Sequence, residues 1–159
     1  MRLRQRCALW WIALAAALAD RLSKVAVAKL AHGRGALIPG LVNLRPVVNR
    51  GMAFSMLSGH FWLLTVFTAL VIGGIVAFLM AKPDEDKLLR AGLWLIAGGG
   101  LGNLYDRLTL GSVIDFIKLD FVDFAIFNVA DVCICVGAAL VLLGAWRAER
   151  EKGRSHGAI

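Results

Sequence analysis

The chain has 159 residues, of which 59% are hydrophobic and only 18% charged, and its mean hydropathy is +0.72. A soluble domain carries about 25% charged residues. Several apolar runs near the length of a bilayer span, about 20 residues, cannot all be buried in a soluble core of this size, so the composition excludes that class and predicts a single integral membrane domain over residues 1–159. The net charge of +7 lies at tails and loop ends, where basic side chains meet anionic lipid headgroups; no nucleic-acid-binding fold accompanies it.

Four apolar stretches are predicted to span as helices: residues 8–30, 60–80, 88–105 and 124–146. The first begins after MRLRQR and has the outline of a signal peptide, but its helical pattern runs on past Asp20 to Leu30. The second has no charged residue. The third ends in the run GGGLGN, which lacks the Lys-Ser/Thr of a phosphate loop and reads instead as close helix contact. The fourth, FAIFNVADVCICVGAALVLLGAW, holds Asn128 and Asp131 near its start, with no basic neighbour. Cys133 and Cys135 within it, a Cys-x-Cys without histidine, read as small buried residues rather than a zinc site.

The connections differ in character. Residues 81–87, AKPDEDK, form a short charged turn. Residues 31–59 are rich in glycine and proline, and the alternation in LIPGLVNLRPVVN predicts short strands. Residues 106–123, with Asp106, Asp115, Asp120 and Asp123 among apolar neighbours, are expected to form an interfacial segment on the same side. Arg2, Arg4 and Arg6 precede the first span, while Arg147, Arg150, Lys152 and Arg154 follow the last. The positive-inside rule then puts both termini in the cytoplasm and the two long connections outside.

On this topology the polar residues at span ends gather at the outer face. Asp20 and Lys24 share a helix face at i, i+4, as do Asn103 and Arg107. Asn49 and Gly51 stand in the outer loop, and Asp106, Asn128 and Asp131 complete the group. Ionisable groups within a membrane are costly and rarely face lipid, so a cluster drawn from three helices at one depth predicts a shared site, although Asp20–Lys24 also reads as a self-contained structural pair. Asp131 is expected five to seven residues inside its span. If Asp115 meets it, repulsion between the carboxylates would keep one protonated and the other ionised, the requirement for activating water and protonating a leaving amine. The residues alone leave alternatives: a magnesium-dependent lipid enzyme using Asp106, Asp115, Asp120, Asp123 and Asp131, a proton-coupled transporter using Asp131, or a non-enzymatic membrane subunit.

Five blocks, in order along residues 12–140, resemble the lipoprotein signal peptidase (signal peptidase II) family. They are Asp20-x-x-Ser23-Lys24, Asn49-Arg50-Gly51-Met52-Ala53-Phe54, the segment from Gly99 to Arg107 (GGLGNLYDR), Val113-Ile114-Asp115-Phe116, and Phe127-Asn128-Val129-Ala130-Asp131. The resemblance implies an aspartic endopeptidase of the bacterial cytoplasmic membrane, mainly α, with four transmembrane helices, a small extracytoplasmic β-cradle from residues 31–59 and a flap from 106–123. It implies Asp115 and Asp131 as the catalytic pair. Asp20, Lys24, Asn49, Gly51, Asn103, Asp106, Arg107, Asn128 and Ala130 would support the site or bind substrate. The implied substrate is a prolipoprotein carrying diacylglycerol on a cysteine, cut just before that cysteine, and the implied inhibitor is the cyclic peptide globomycin. No metal or cofactor is expected, partners are limited to substrate and membrane lipid, and the enzyme is expected to be a monomer.

Overall fold

From Phe61 the chain runs for 21 residues without a charge or a proline, and it folds as one helix to Ala81. The computed structural model describes residues 9–30, 35–51 and 61–156. Its helices are α1 (Trp10–Lys29), α2 (Phe61–Ala81), α3 (Lys87–Leu110) and α4 (Val129–His156); its strands are β1 (Gly35–Ile38), β2 (Val42–Asn49) and β3 (Val113–Leu119). The expected mainly helical architecture with a small sheet is therefore present. Among the described residues, two helices are long and apolar enough to cross a membrane: Phe61–Ala81, with mean hydropathy 2.5, and Val129–Arg150, with 2.2.

Helix α3 packs against all three other helices, and its glycines are the reason it can. A Cβ at Gly98 would strike the Ala13 backbone of α1, one at Gly99 would lie 2.5 Å from the Ala130 carbonyl oxygen of α4, and one at Gly100 would press on the Ile72 side chain of α2. Three consecutive residues point about 100° apart on a helix, so three glycines in a row admit three neighbours. Lower in the same interface Gly92 and Gly137 face each other at backbone distance. Ala13, Leu79, Trp94 and Ala97 form the buried apolar cluster.

The turn between α2 and α3 is fixed by its own residues. Asp86 caps α3 by accepting from the N–H groups of Leu88 and Leu89 at 2.8 and 3.2 Å. The buried Arg90 donates to the Leu79 and Lys82 carbonyls at 3.3 and 2.8 Å, satisfying the end of α2.

The sheet is antiparallel in the order β1-β2-β3. Its register sets Val47 opposite Asp115 and Asn49 opposite Val113, with an irregularity between Leu44 and Val47 where Pro46 has no N–H to give.

Three expectations are corrected here. The third helix does not stop at 105 but continues to Leu110, where Gly111, in the left-handed conformation at φ 66°, ends it. The small sheet is not drawn from residues 31–59 alone: residues 106–123 comprise the last turn of α3, strand β3 and a short irregular stretch, and β3 completes the sheet begun by β1 and β2. The last helix begins at Val129 rather than 124, because residues 124–128 are extended and Phe127 is bridged to Ile117.

Candidate active site

The first turn of α4 explains the placement of Asp131. The backbone N–H of Asn128 donates to Asp131 Oδ2 at 3.0 Å, and that of Asp131 donates to Asn128 Oδ1 at 2.9 Å. This is a reciprocal capping box, and it puts Asp131 at the helix N-terminus, where the dipole favours negative charge. Asp131 therefore lies in the first turn of its helix rather than five to seven residues within it. The local signal, Asn-x-x-Asp at i, i+3, is present in the sequence.

Asp115 comes from β3 and is buried, with 4% exposure. Its Oδ2 accepts from Asn49 Nδ2 at 2.8 Å, and its Oδ1 accepts from Asn128 Nδ2 at 2.7 Å. Asn49 in turn accepts from the Gly51 N–H at 2.8 Å, an Asx turn that fixes its amide at the end of β2. Burial pushes the Asp115 carboxyl up to about 6; the negative charge of Asp131 adds to this, while the hydrogen bonds from Asn49 and Asn128 and the charge of Lys24 oppose it.

Two amides join the carboxylates. Asn103 on α3 donates to Asp131 Oδ1 at 2.9 Å, and its own oxygen accepts from Asn128 Nδ2 at 3.0 Å and Lys24 Nζ at 3.3 Å. Beneath them lies a buried ionic group. Lys24 Nζ sits 2.7 Å from both Asp20 Oδ2 and Asp106 Oδ2, and all three side chains are 1% exposed. Asp20 is thus not in a self-contained pair with Lys24. Its Oδ1 also accepts from the Ala130 N–H at 3.0 Å, so α1 caps the start of α4. Gly102 leaves the space that the Asp20 carboxylate fills. Asp106 accepts from the Ile114 N–H at 3.2 Å, tying α3 to β3.

Asn49, Gly51, Asn103, Arg107, Asp115 and Asp131 line one groove of about 510 Å³, whose remaining walls are apolar and include Leu119, Val122, Ile126, Val132 and Val136. Arg107 is the cation among the residues lining this groove, which it shares with Asp115 and Asp131. The structure thus brings Asp115, Asp131, Asn49, Gly51, Asn103, Arg107 and Asn128 together, with Asp20, Lys24, Asp106 and Ala130 directly behind. Met52, Ala53 and Phe54 of the second block lie outside the described residues.

The five aspartates considered as a magnesium cluster do not converge. Asp120 bonds Asn43 and lies 3.9 Å from Lys118, while Asp106 faces Lys24. Sequence reasoning missed Arg21, whose Nη1 is 3.7 Å from Asp106 Oδ1 and whose guanidinium lies over the Tyr105 ring at 4.9 Å. Its partner stands on another helix, so no local spacing announces it.

The chain is similar to known proteins over most of its length. The family model described as Signal peptidase (SPase) II matches residues 12–147. Lipoprotein signal peptidases of Streptococcus pyogenes serotype M1 and of serotype M5 (strain Manfredo) are each 46% identical over 132 residues, covering 82% of this chain and 87% of theirs. Two solved structures, described as bacterial membrane enzymes determined by the in meso method at 2.3 and 1.9 Å, superpose with TM-scores of 0.80 and 0.75. The first is 26% identical and covers 89% of both chains; the second is 27% identical and covers 85% of this chain and 90% of its own. On this match of family and fold, the chain belongs to the signal peptidase II family of aspartic peptidases.

Proposed function

We propose that Asp115 and Asp131 are the catalytic pair with which this enzyme removes signal peptides from prolipoproteins. Membership of the family carries the reaction. One observation carries the assignment of the pair: a strand carboxylate and a helix-cap carboxylate, linked through Asn103 and Asn128, open on one apolar groove.

The chemistry follows from their surroundings. Asp115, buried and pushed up to about 6, is the carboxyl of the pair poised to carry the proton in the reactive state. Asp131, at a helix N-terminus with Arg107 in the same groove, carries the negative charge. Asp131 takes a proton from water, whose oxygen attacks the scissile carbonyl carbon as Asp115 gives its proton to the carbonyl oxygen. The carbon–nitrogen bond then breaks. Asp131 returns its proton to the leaving amine, and one hydroxyl of the tetrahedral intermediate returns its proton to Asp115. Asn49, Asn103 and Asn128 hold both carboxylates throughout.

The substrate reading is a prolipoprotein carrying diacylglycerol on the cysteine that follows the cut. The apolar groove walls suit its lipid and signal peptide. The membrane reading is a single domain crossing four times, with both termini cytoplasmic, the sheet outside and the carboxylates at the outer face. Helices α1 and α3, of 20 and 24 residues, are about 30 and 36 Å long at the helical rise, enough to cross with α2 and α4. Their buried charges are internally paired, while Trp10, Trp11, Leu14 and Leu18 of α1 face outward. The enzyme is read as a monomer because one chain supplies both carboxylates and the groove.

The test is cleavage of a diacylglyceryl-modified prolipoprotein by wild type, Asp115→Asn and Asp131→Asn, with EDTA present. Each variant is expected to lose at least about a hundredfold in rate while keeping its melting transition in detergent. A folded variant that still cuts at the wild-type rate would remove its aspartate from the mechanism.

A further inference from the structure

A second cavity of about 510 Å³ lies between α1 and α3, lined by Leu14, Leu18, Arg21, Leu101, Tyr105 and Leu108 among others. It is not part of the catalytic groove. Asn103 and Arg107 face that groove, whereas Leu101, Tyr105 and Leu108 stand on the opposite side of α3. Its volume is within the range of ligand clefts, and its lining runs along both helices, from Leu14 to Arg21 on α1 and from Leu101 to Leu108 on α3.

The cavity is polarised along that axis. From Leu14 to Arg21 the wall of α1 rises about 10 Å, and it is apolar until the last turn. At the outer end Arg21, its side chain 42% exposed, lies over the Tyr105 ring and 3.7 Å from Asp106 Oδ1. Asp106 holds Arg21 at ion-pair distance without a hydrogen bond: its Oδ1 is buried and has no hydrogen-bond partner among the described residues. Among the described residues no other protein group engages the guanidinium, so its N–H donors remain available outward. Tyrosine and arginine at this level are the residues that meet headgroups at a membrane interface, and a guanidinium binds a phosphate through two parallel hydrogen bonds.

We infer that this cavity is a binding site for one outer-leaflet glycerophospholipid, with an acyl chain along Leu14, Leu18 and Leu101 and the phosphodiester on Arg21. The inference rests on the reading that α1 and α3 cross the membrane with Arg21 at the outer face. An apolar slot closed by a single exposed cation matches an amphiphile bearing one phosphate. An uncharged detergent would leave Arg21 without that fork, and an acyl chain of the lipoprotein substrate would lie on the wrong side of α3 from the two aspartates. The bound phosphate would also hold Arg21 against Asp106, and so bear on the ion group behind the catalytic carboxylates without touching them.

The experiment is native mass spectrometry of the full-length protein, stripped of lipid in detergent and titrated with phosphatidylglycerol. The proteins compared are wild type, Arg21→Gln, Leu101→Trp (which fills the slot) and Leu142→Trp as a control on an exposed face of α4. Wild type and the control should hold one lipid, and Arg21→Gln and Leu101→Trp should each bind about tenfold more weakly, the equivalent of 1.4 kcal/mol. If both of these variants hold the lipid as tightly as wild type, the inference is wrong. It is also wrong if Arg21→Gln raises KM for the prolipoprotein while leaving phosphatidylglycerol binding unchanged, since the slot would then serve the substrate. Cleavage assayed in parallel separates the two readings: a wild type that holds the lipid but cannot cut overturns the proposed function alone, and one that cuts but holds no lipid overturns this inference alone.

Discussion

The two ends of α3 meet the same problem, buried polar groups between helices, and solve it differently. At the end near Lys87, the solution is local. Asp86 caps its own helix, and Arg90 donates to the Leu79 and Lys82 carbonyls, 11 and 8 residues back. At the end near Leu110, the partners are remote: Asn49 reaches Asp115 across 66 residues, Lys24 reaches Asn103 across 79, and Asp20 reaches the Ala130 N–H across 110. The first end closes a turn. The second cannot form until strand, loop and three helices have come together, and that late-assembled end holds the groove. Stability and chemistry are therefore separable at one end of the helix and merged at the other.

Mutations can test that separation. The largest effect is expected at Lys24, the cation between two buried carboxylates. Lys24→Met leaves Asp20 without a cation and Asp106 with only Arg21 at 3.7 Å, and should cost about 3–5 kcal/mol, read as a lowered melting temperature together with lost cleavage. Next comes a pH effect. The Asp115 carboxyl is raised from 3.8 to about 6 in the fold, so the protonated form is preferred and its ionisation costs stability. Its favourable contribution is complete below about pH 4 and is lost as pH rises through 6. Asp115→Asn, which has no proton to lose, should gain on wild type by on the order of 2 kcal/mol between pH 4 and pH 8 in denaturation curves.

Gly99→Ala probes the link between packing and chemistry. The new methyl would meet the Ala130 carbonyl one residue before Asp131. A cost of about 1–3 kcal/mol is expected, with cleavage per folded molecule reduced as well. Unchanged cleavage would mean the start of α4 can shift without disturbing the carboxylates. At the other end, Arg90→Met uncaps α2 and should cost about 1–3 kcal/mol with cleavage per folded molecule unaffected. Asp86→Ala removes one helix cap, for about 1 kcal/mol, again without kinetic effect. Either of these two slowing cleavage in folded protein would erase the distinction between the ends.

The same distinction governs what was legible in the sequence. The helices were legible from apolar runs, and the role of Gly98–Gly100 from three small residues in a row, because both signals are local. The alternation around Leu37–Asn49 announced β1 and β2. Strand β3 was hidden because Val113–Leu119 mixes aspartate and lysine into an apolar run, which reads equally as an interfacial segment. The start of α4 was misplaced because FAIFNVA is apolar in either conformation; only the capping pair Asn128 and Asp131 marks the boundary. Asp115, Asp131 and the residues around them were singled out through the family blocks, and the fold brings them to one groove. The bonds that join them were not legible, since no period in the chain connects Asp20 to Ala130 or Arg21 to Asp106.

The capping box at Asn128 and Asp131 has a practical consequence for anyone who wishes to hold the enzyme with its substrate bound. Asparagine at position 131 keeps an oxygen to accept the Asn128 N–H, whereas alanine has none, so the two changes are not equivalent. On the proposed mechanism, Asp131→Asn removes the base with the helix start still tied down, which suits it to trapping a complex. Asp131→Ala removes the base and the cap together, and a binding measurement made on it would report the fraying along with the missing charge.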